Sequence, residues 1–431
     1  SGPTISFKGL ENRAYYMLQP DLRLYHNFSG TGNTINSNHS VVRRLIIDCL
    51  HYWVQEMHVD GFRFDLASVM SRDEDGEPMM NPPIVWSIES DPVLANTKII
   101  AEAWDAAGLY QVGEFTGERW AEWNGRYRDQ VRRFVKGDAG TVRELACRLI
   151  GSTDLVPEEE QASYHSINFI ACHDGFSLND LVSYNEKHNL ANGEDGRDGE
   201  NHNRSWNCGV EGPTDDAEVN GLRTRQRRNL LATLMLSQGV PMLLGGDELG
   251  RTQLGNNNGY CHDSELSWYD WQAADEEMLD FTRRLVALRA QHPVFRRSHW
   301  FHVGVPEGAD ENDARDIEWC TPDGERMSDE DWHTSGPAAI AVYLSGQHLL
   351  GRDGGPIEDD SFYLALNAGP EARTFRLPHG WLGGAWTCVF DTAAPRPFDS
   401  RSGQILQATQ EFRQAPHSLL LARRVDRDAS G

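Results

Sequence analysis

Arg63 and Asp65 place a permanent positive charge and a carboxylate two residues apart in the short run DGFRFD at residues 60–65. Residues two apart on a β-strand project to the same side, so these two side chains are expected to lie together, with Phe62 and Phe64 on the opposite side. A neighbouring guanidinium favours the ionised form of a carboxylate, and an ionised, oriented carboxylate can act as a nucleophile on a sugar. The alternative, which this pair alone leaves open, is a buried ion pair that only holds two strands together.

Glu102 ends a second β-type run, IIAEAW at residues 99–104, where its neighbours are apolar. A carboxyl group in apolar surroundings tends to retain its proton, as a general acid must near neutral pH. The alternative is an exposed glutamate at the end of a strand.

A third run, FIACHDG at residues 169–175, ends in His173 and Asp174. These side chains could bind sugar hydroxyls and stabilise an oxocarbenium-like transition state, or they could form an ordinary buried hydrogen bond. Retaining glycoside hydrolysis needs two carboxyl groups about 5–5.5 Å apart. We therefore expect the carboxyl groups of Asp65 and Glu102 to lie within about 6 Å of each other.

Predicted helices and strands alternate along the chain in the order expected of a parallel α/β sheet. Apolar residues recur at helical spacing in the first helix, for which Asn38 or Ser40 is the expected N-cap. The predicted helices cover 38–57, 224–237 and 278–290, and the predicted strands cover 58–65, 98–104, 167–174 and 240–245. Because the first three strands end in polar residues, we predict a (β/α)8 barrel with its active site at the carboxyl ends of the strands.

After about Trp332 the pattern changes to short runs of alternating apolar residues separated by Gly, Pro and Asp. Such runs are typical of a small antiparallel β-domain. They cover residues 338–344, 361–366, 385–391 and 418–422. We predict a partial catalytic barrel with long substrate loops over 1–330 and a C-terminal β-sandwich domain over 331–431, with the boundary between Arg297 and Trp332.

The composition disfavours charged polymers as ligands. Lys and Arg total 40 against 65 Asp and Glu, and the formal net charge of −25 argues against binding to nucleic acid or an anionic membrane. The 7 cysteines show no CxxC spacing, which predicts free thiols in a reducing cytoplasm, or in a plastid if the source is a plant or alga. No signal peptide is visible and no cofactor is expected. Asp198, Glu200 and His202 crowd one loop, but no zinc or calcium spacing accompanies them.

The three strand-end motifs resemble those of the α-amylase clan of glycoside hydrolases. The resemblance implies Asp65 as the nucleophile, Arg63 as its partner and Glu102 as the acid/base. It also implies Asp174 as the transition-state stabiliser, with His173 on a sugar hydroxyl.

Longer segments are similar to the isoamylase and glycogen-debranching group of that clan. They are GLENRAYY at 9–16, GTGN at 30–33, YNEKHN at 184–189, DGENHNRSWNCG at 198–209 and GGDELG at 245–250. From the matching motifs we expect further substrate contacts at Trp104, Lys187, His188 and Asn207.

The resemblance implies a retaining hydrolase that cleaves α-1,6 branch points of glycogen or starch-type glucans. Another activity of the clan, such as trehalose release or glucan transfer, stays open. A non-catalytic glucan-binding subunit is a third possibility, against which the presence of Asp65, Glu102 and Asp174 counts.

One motif of the resembled fold is missing from the sequence. It ends the third barrel strand with an Asp and a His, and it would precede the segment that matches residues 2–7. The strand ending at Asp65 corresponds to the fourth of eight, so only strands four to eight are readable here. We therefore expect an upstream segment or a second polypeptide to complete the barrel and to supply an Asp and a His.

Overall fold

The computed structural model describes the chain in several stretches, which form two compact units. The stretches are 4–115, 117–155, 163–297, 299, 301, 316–333, 338–347, 349–351, 353–378 and 384–425. Unit 1 comprises residues 1–124 and 153–167, and unit 2 comprises residues 125–152 and 168–431. Residues 302–315 of the predicted boundary region lie outside the described stretches, and the division at residue 330 stays a prediction.

Unit 1 is built around a parallel sheet. Its helices are α1 (Lys8–Tyr15), α2 (Ser40–Gln55) and α3 (Pro83–Glu89), and its strands are β1 (Gly61–Phe64), β2 (Lys98–Ala101), β3 (Trp120–Trp123) and the first half of β4 (Ser166–Phe169). The strands pair in parallel in that order, and Arg63 of β1 lies opposite Ile100 of β2. Ile99 and Trp120 from the sheet pack with Ile84 and Ile88 from α3 in a buried core. This core anchors the strand ends that carry the predicted acidic residues.

The strands are shorter than the sequence predicts. β1 ends at Phe64, β2 ends at Ala101 and β4 ends at Phe169. Asp65 and Glu102 therefore follow their strands directly, whereas Asp174 lies further along a loop. The predicted parallel sheet is confirmed, and its closure into a barrel stays a prediction.

Helix α2 matches the predicted helix, but the predicted N-cap is wrong. The N-cap residue is His39, with no side-chain cap hydrogen bond, and Ser40 lies inside the helix. Asn38 instead donates its side-chain amide to the backbone carbonyls of Met70 and Arg72, both at 2.8 Å. Its amide is committed to a distant loop, so it does not cap the helix.

Unit 2 begins with helices. They are α4 (Gly125–Lys136), α5 (Val142–Leu149), α6 (Leu178–Leu181), α7 (Ala217–Leu236), α8 (Glu276–Gln291) and α9 (Asp329–His333). Two of them, α7 and α8, confirm the helices predicted at 224–237 and 278–290 and begin earlier than predicted. Asp216 and Asp275 are the reason, because each carboxylate accepts backbone N–H groups of the first helical turn. Between these helices lies β5 (Val240–Met242), which neighbours β4 in the strand order.

The C-terminal strands form antiparallel sheets, as predicted. They are β6 (Ile317–Cys320), β7 (Ala339–Leu344), β8 (Leu349–Leu350), β9 (Pro356–Ile357), β10 (Phe362–Asn367), β11 (Arg373–Arg376), β12 (Ala385–Asp391), β13 (Ile405–Gln407), β14 (Glu411–Gln414) and β15 (Ser418–Val425). Among the described residues the main sheet has six strands in the order β13-β12-β15-β10-β7-β6, and β11 pairs with β14.

Strands β7 and β10 are buried at every position, whereas the sequence had suggested alternation. The reason is that both faces of the sheet are covered. Ile340 packs on one face in the same core as Leu285 of α8, and Tyr363 packs on the other face with Phe375 of β11. The β-sandwich architecture itself stays a prediction.

All seven cysteines carry free thiols. In the part of the chain that the structure describes, no helix is both long and apolar enough to cross a membrane.

Candidate active site

The end of β1 carries the first predicted pair. Arg63 Nη1 donates to Asp65 Oδ1 at 2.6 Å, so the predicted contact between these side chains is confirmed. The Asp65 side chain is 73% exposed and that of Arg63 is 25% exposed. A pair that only held two strands together would be buried, so this exposure removes the alternative that the sequence left open. Asp65 is accessible to a ligand in solution.

Glu102 lies beside the same guanidinium. Its carboxylate forms an ion pair with Arg63, 2.7 Å from Nη2 to Oε2, and its side chain is only 4% exposed. Oε2 also accepts the backbone N–H of Leu66 at 2.8 Å. The alternative of an exposed glutamate at a strand end is therefore wrong. One carboxylate is exposed and the other buried, and each contacts a different terminal nitrogen of Arg63.

The backbone around these groups explains why they meet. Glu102 donates its N–H to the carbonyl of Phe64, so parallel pairing continues past the end of β2. Leu66 then adopts a left-handed conformation with φ of 41°, and the Ala67 N–H bonds to the carbonyl of Glu102. Such a backbone conformation is uncommon for a leucine. The turn directs the Leu66 N–H toward the Glu102 carboxylate.

Trp123 was not identified from the sequence. The guanidinium carbon of Arg63 lies 4.2 Å from the centre of its indole ring, a cation–π distance. Trp123 ends β3, the strand next to β2 in the sheet. Trp123 could have been identified only from its position at the end of a strand, and the sequence pattern did not predict that strand.

Trp104 follows Glu102 and belongs to a pair of aromatic rings. It stacks on Tyr110 with ring centres 6.0 Å apart and an interplanar angle of 10°. The two residues are also joined by a backbone bridge. Because Tyr110 is 42% exposed, the pair presents aromatic surface to solvent near the predicted acid/base.

His173 and Asp174 lie in unit 2. Their side chains are 55% and 67% exposed, and His173 Nε2 is 3.4 Å from Asp174 Oδ2. The alternative of a buried His–Asp hydrogen bond is therefore wrong. The loop that carries them is fixed by the Gly175 N–H, which donates to the Asn257 carbonyl at 2.9 Å.

Lys187 contacts its own loop in the structure. Its ammonium group donates to the backbone carbonyls of Asp198 and Gly199 at 2.7 and 3.2 Å. These hydrogen bonds join the two ends of the polar segment from Lys187 to Gly199. Its role toward a substrate stays a prediction.

His188 and Asn207 share a partner that the sequence did not reveal. His188 Nε2 lies 3.4 Å from Glu211 Oε1, and Asn207 donates its amide to Glu211 Oε2 at 2.9 Å. Burial raises the pKa of Glu211, but hydrogen bonds from the Asn185 backbone N–H and the Asn207 amide outweigh it and lower that pKa overall. An ionised Glu211 thus connects two predicted substrate contacts. Because the three residues are separated along the chain, local sequence patterns do not predict that they form a cluster.

The crowded loop of Asp198, Glu200 and His202 does not form a cluster able to share a metal ion. In the described stretches such a cluster occurs at His292, Asp359 and Asp360. Asp359 there accepts hydrogen bonds from the His292 ring and the Val294 backbone N–H.

Comparisons with known proteins give consistent matches. The family model described as "Isoamylase, C-terminal" matches residues 316–412. The chain is 49% identical to the glycogen operon protein GlgX homolog of Mycobacterium tuberculosis over 98% of its own length and 58% of that protein. It is 42% identical to isoamylase 1, chloroplastic, of Arabidopsis thaliana over 97% of its own length and 53% of that protein. The chain therefore spans little more than half the length of these relatives.

Solved structures show the fold. Pullulanase type I from Bacillus subtilis, complexed with maltose, matches 96% of this chain and 50% of its own with a TM-score of 0.66 at 20% identity. The pullulanase from Bacillus acidopullulyticus matches 95% of this chain and 43% of its own with a TM-score of 0.65 at 21% identity. The chain is thus similar in sequence to GlgX proteins and isoamylases over nearly its whole length, and it shares its fold with the pullulanases.

Proposed function

We propose that this protein is a retaining glycoside hydrolase, an isoamylase-type α-1,6-glucosidase that cleaves branch points of glycogen or starch-type glucans. The observation that carries the proposal is the arrangement of an exposed Asp65 and a buried Glu102 on the two terminal nitrogens of Arg63. A retaining mechanism needs two carboxyl groups at close range with different environments. The GlgX and isoamylase names of the relatives support the branch-point specificity.

The chemistry assigns a different step to each carboxyl group. Glu102 protonates the α-1,6 glycosidic oxygen while Asp65 attacks the anomeric carbon, so that the branch leaves as an ester on Asp65 and the main chain regains a hydroxyl. Glu102, now ionised, takes a proton from water, which hydrolyses the ester and restores both groups. Glu102 is buried and held by Arg63 and by the Leu66 N–H, and these contacts fix the position of the carboxyl group that gives and then takes the proton.

The remaining predicted residues receive roles in substrate binding. Asp174 stabilises positive charge that develops on the sugar ring in the transition state, and His173 binds a sugar hydroxyl. Their exposure supports contact with a ligand. The other proposed substrate contacts are Arg63, Trp104, Lys187, His188 and Asn207.

We also propose that the parallel sheet is part of a (β/α)8 barrel completed by an upstream segment or a second polypeptide. Two features of unit 1 support this. Among the described residues β1 pairs only with β2, which leaves its other edge open. On α2 and just beyond it, Val41, Trp53 and Met57 of the predicted apolar face are 50%, 48% and 51% exposed. Open strand edges and exposed apolar helix faces are normally covered in a folded protein.

The same proposal includes the binding partner of the protein, which is its glucan substrate, and the cellular compartment in which it acts. The substrate is a branched, uncharged α-glucan, which suits a chain with a net charge of −25. The free thiols support a reducing compartment, the cytoplasm or, in a plant or alga, the plastid.

Product analysis tests the proposal. The full-length protein is incubated with amylopectin, and released linear chains are counted by their reducing ends and sized by chromatography. We expect linear α-1,4-glucans from the wild type, none from Asp65→Asn, and normal release from Asp48→Asn, an exposed acid on α2. Normal debranching by Asp65→Asn would overturn the assignment, and trehalose or lengthened glucans as products would identify the rival activities.

A further inference from the structure

A hollow in unit 2 is lined by aromatic and charged side chains that the proposed chemistry does not use. Its volume is about 630 Å³. This size falls within the range of small-molecule binding sites. The lining residues are Leu249, Gly250, Arg251, Thr252, Leu254, Glu265, Trp268, Tyr269, Asp270 and Ala273.

The aromatic side chains at this hollow are exposed and yet held in place. Trp268 and Tyr269 are 56% and 39% exposed, and Trp271, which stacks on Tyr269 at a ring distance of 5.7 Å, is 70% exposed. The Trp268 indole N–H donates to Asp263 at 2.9 Å, and the Tyr269 hydroxyl donates to the Gly245 carbonyl at 2.9 Å. Exposed aromatic groups in one patch mark a binding surface. Rings fixed by hydrogen bonds lose little conformational freedom when a ligand binds.

Charged groups complete the wall. The Arg251 guanidinium lies 4.7 Å from the centre of the Tyr269 ring and donates to the Ser267 carbonyl at 3.0 Å. Glu265 and Asp270 add carboxylates at the edge of the same hollow. The site therefore offers flat apolar faces next to hydrogen-bond donors and acceptors, which are the two kinds of surface that a pyranose ring presents.

We propose that this hollow binds a linear α-1,4-linked segment of the glucan. The proposal rests on the debranching function and adds a second contact region for the same polymer. The rings of Trp268 and Tyr269 stack on the apolar faces of glucose units. Arg251 and Glu265 bind their hydroxyl groups. An uncharged ligand fits a site where carboxylates outnumber cations on a strongly acidic chain.

Hydrogen bonds within unit 2 connect the hollow with the loop of Asp174. The Ser177 hydroxyl donates to the Arg251 carbonyl at 2.9 Å. The backbone carbonyl of Asn257, which lies between the two stretches that line the hollow, accepts a hydrogen bond from the N–H of Gly175. Hydrogen bonds thus anchor the stretch that lines the hollow to the loop after Asp174, so a glucan held in the hollow contacts residues that are connected to a proposed catalytic group.

Calorimetric titration with maltoheptaose tests the site in the full-length Asp65→Asn protein, where no turnover interferes. Replacing Trp268 with Ala in this background should weaken the affinity about tenfold, as expected for an aromatic anchor. The Glu265→Gln variant, which keeps the shape of the hollow, should weaken it about threefold. Trp86→Ala removes a 41% exposed tryptophan of unit 1 and is the matched control, with unchanged affinity.

Two results would overturn the site: wild-type affinity in both hollow variants, or equal binding of cellooligosaccharides, whose β-linked chain has a different shape. The Glu265→Gln result decides the matter if Trp268→Ala does not fold. In the active background, Trp268→Ala should raise KM for amylopectin about tenfold with kcat within about twofold. If the wild type releases no linear chains, the debranching function fails while the titration still reports on the hollow.

Discussion

Arg63 and Glu102 form a close ion pair, 2.7 Å between Nη2 and Oε2, although 38 residues separate them in the sequence. The same guanidinium holds Asp65 through its other terminal nitrogen. Sequence motifs predicted a nucleophile with an arginine partner and, separately, an acid in apolar surroundings. The structure shows instead that one arginine contacts both carboxylates, which makes Arg63 the residue that sets their relative positions.

We therefore expect Arg63→Lys to lose activity although the charge is kept. A lysine ammonium is a point charge and does not present two nitrogens in a fixed plane. A small misplacement of reacting groups can cost on the order of 100-fold in rate, and we expect a fall of this size in kcat on amylopectin. Arg44→Lys, at an exposed ion pair on α2, is the control and should stay within about twofold. Full activity of Arg63→Lys would show that the shared guanidinium does not position the carboxylates.

Glu102→Gln should separate the two halves of the mechanism. Without a proton donor, the variant should not cleave amylopectin at a measurable rate. A glucosyl fluoride needs no protonation of its leaving group, so Asp65 should still form the ester on this substrate. Mass spectrometry of the protein should then show the added glucosyl group, and added azide should release it as glucosyl azide. Normal amylopectin hydrolysis by the variant would contradict the acid/base assignment.

Because Glu122 is buried, we expect the free energy of unfolding of this protein to depend on pH. Burial raises its pKa to about 8 from a model-compound value of 4.5, although backbone N–H groups of Gly113 and Phe115 bond to it. The folded state therefore holds a proton that the unfolded state releases between these two values. The contribution of this group to stability is complete below about pH 4.5 and is lost as the pH rises toward 8.

The Glu122→Gln variant, which is neutral throughout, should flatten this dependence. The free energy of unfolding, measured by denaturant at about pH 5 and about pH 8, should fall less in the variant than in the wild type. Glu118→Gln, at an exposed position on the same segment, is the control and should leave the dependence unchanged. An equal fall in all three proteins would rule out Glu122 as its source.

Gly246, in the GGDELG motif, should not tolerate alanine. Its φ is +95°, and an added Cβ would lie 2.7 Å from Arg251 Cδ and from Tyr269 Cε1. We expect Gly246→Ala to destabilise the protein by about 1–3 kcal/mol and to weaken maltoheptaose binding, because both neighbours line the hollow. Gly221→Ala is the control: it lies in α7, and an added Cβ meets no described atom within 4 Å. It should stabilise the protein by about 0.5–1 kcal/mol, as measured by denaturant unfolding.

The sequence by itself determined the kinds of elements and the candidate residues for catalysis. Alternation of helical and strand patterns predicted the parallel sheet. The short motifs placed Asp65, Glu102 and Asp174 at strand ends, which is close to the outcome for Asp65 and Glu102 but not for Asp174. These inferences succeed because strand and helix periodicity are local, and because residues two apart on a strand share a side. The contact between Arg63 and Asp65 follows from that spacing alone.

Tertiary structure decided which distant residues meet. The pairing of Arg63 with Glu102 depends on the parallel register that sets Arg63 opposite Ile100. Asn38 hydrogen-bonds to a distant loop instead of capping its helix. Glu211 contacts both His188 and Asn207. Both arrangements arise because segments far apart in sequence pack together. Burial of both faces of the C-terminal sheet likewise overrides the expected alternation. Register and packing arise from many weak contacts across the whole chain, so no short stretch of sequence specifies them.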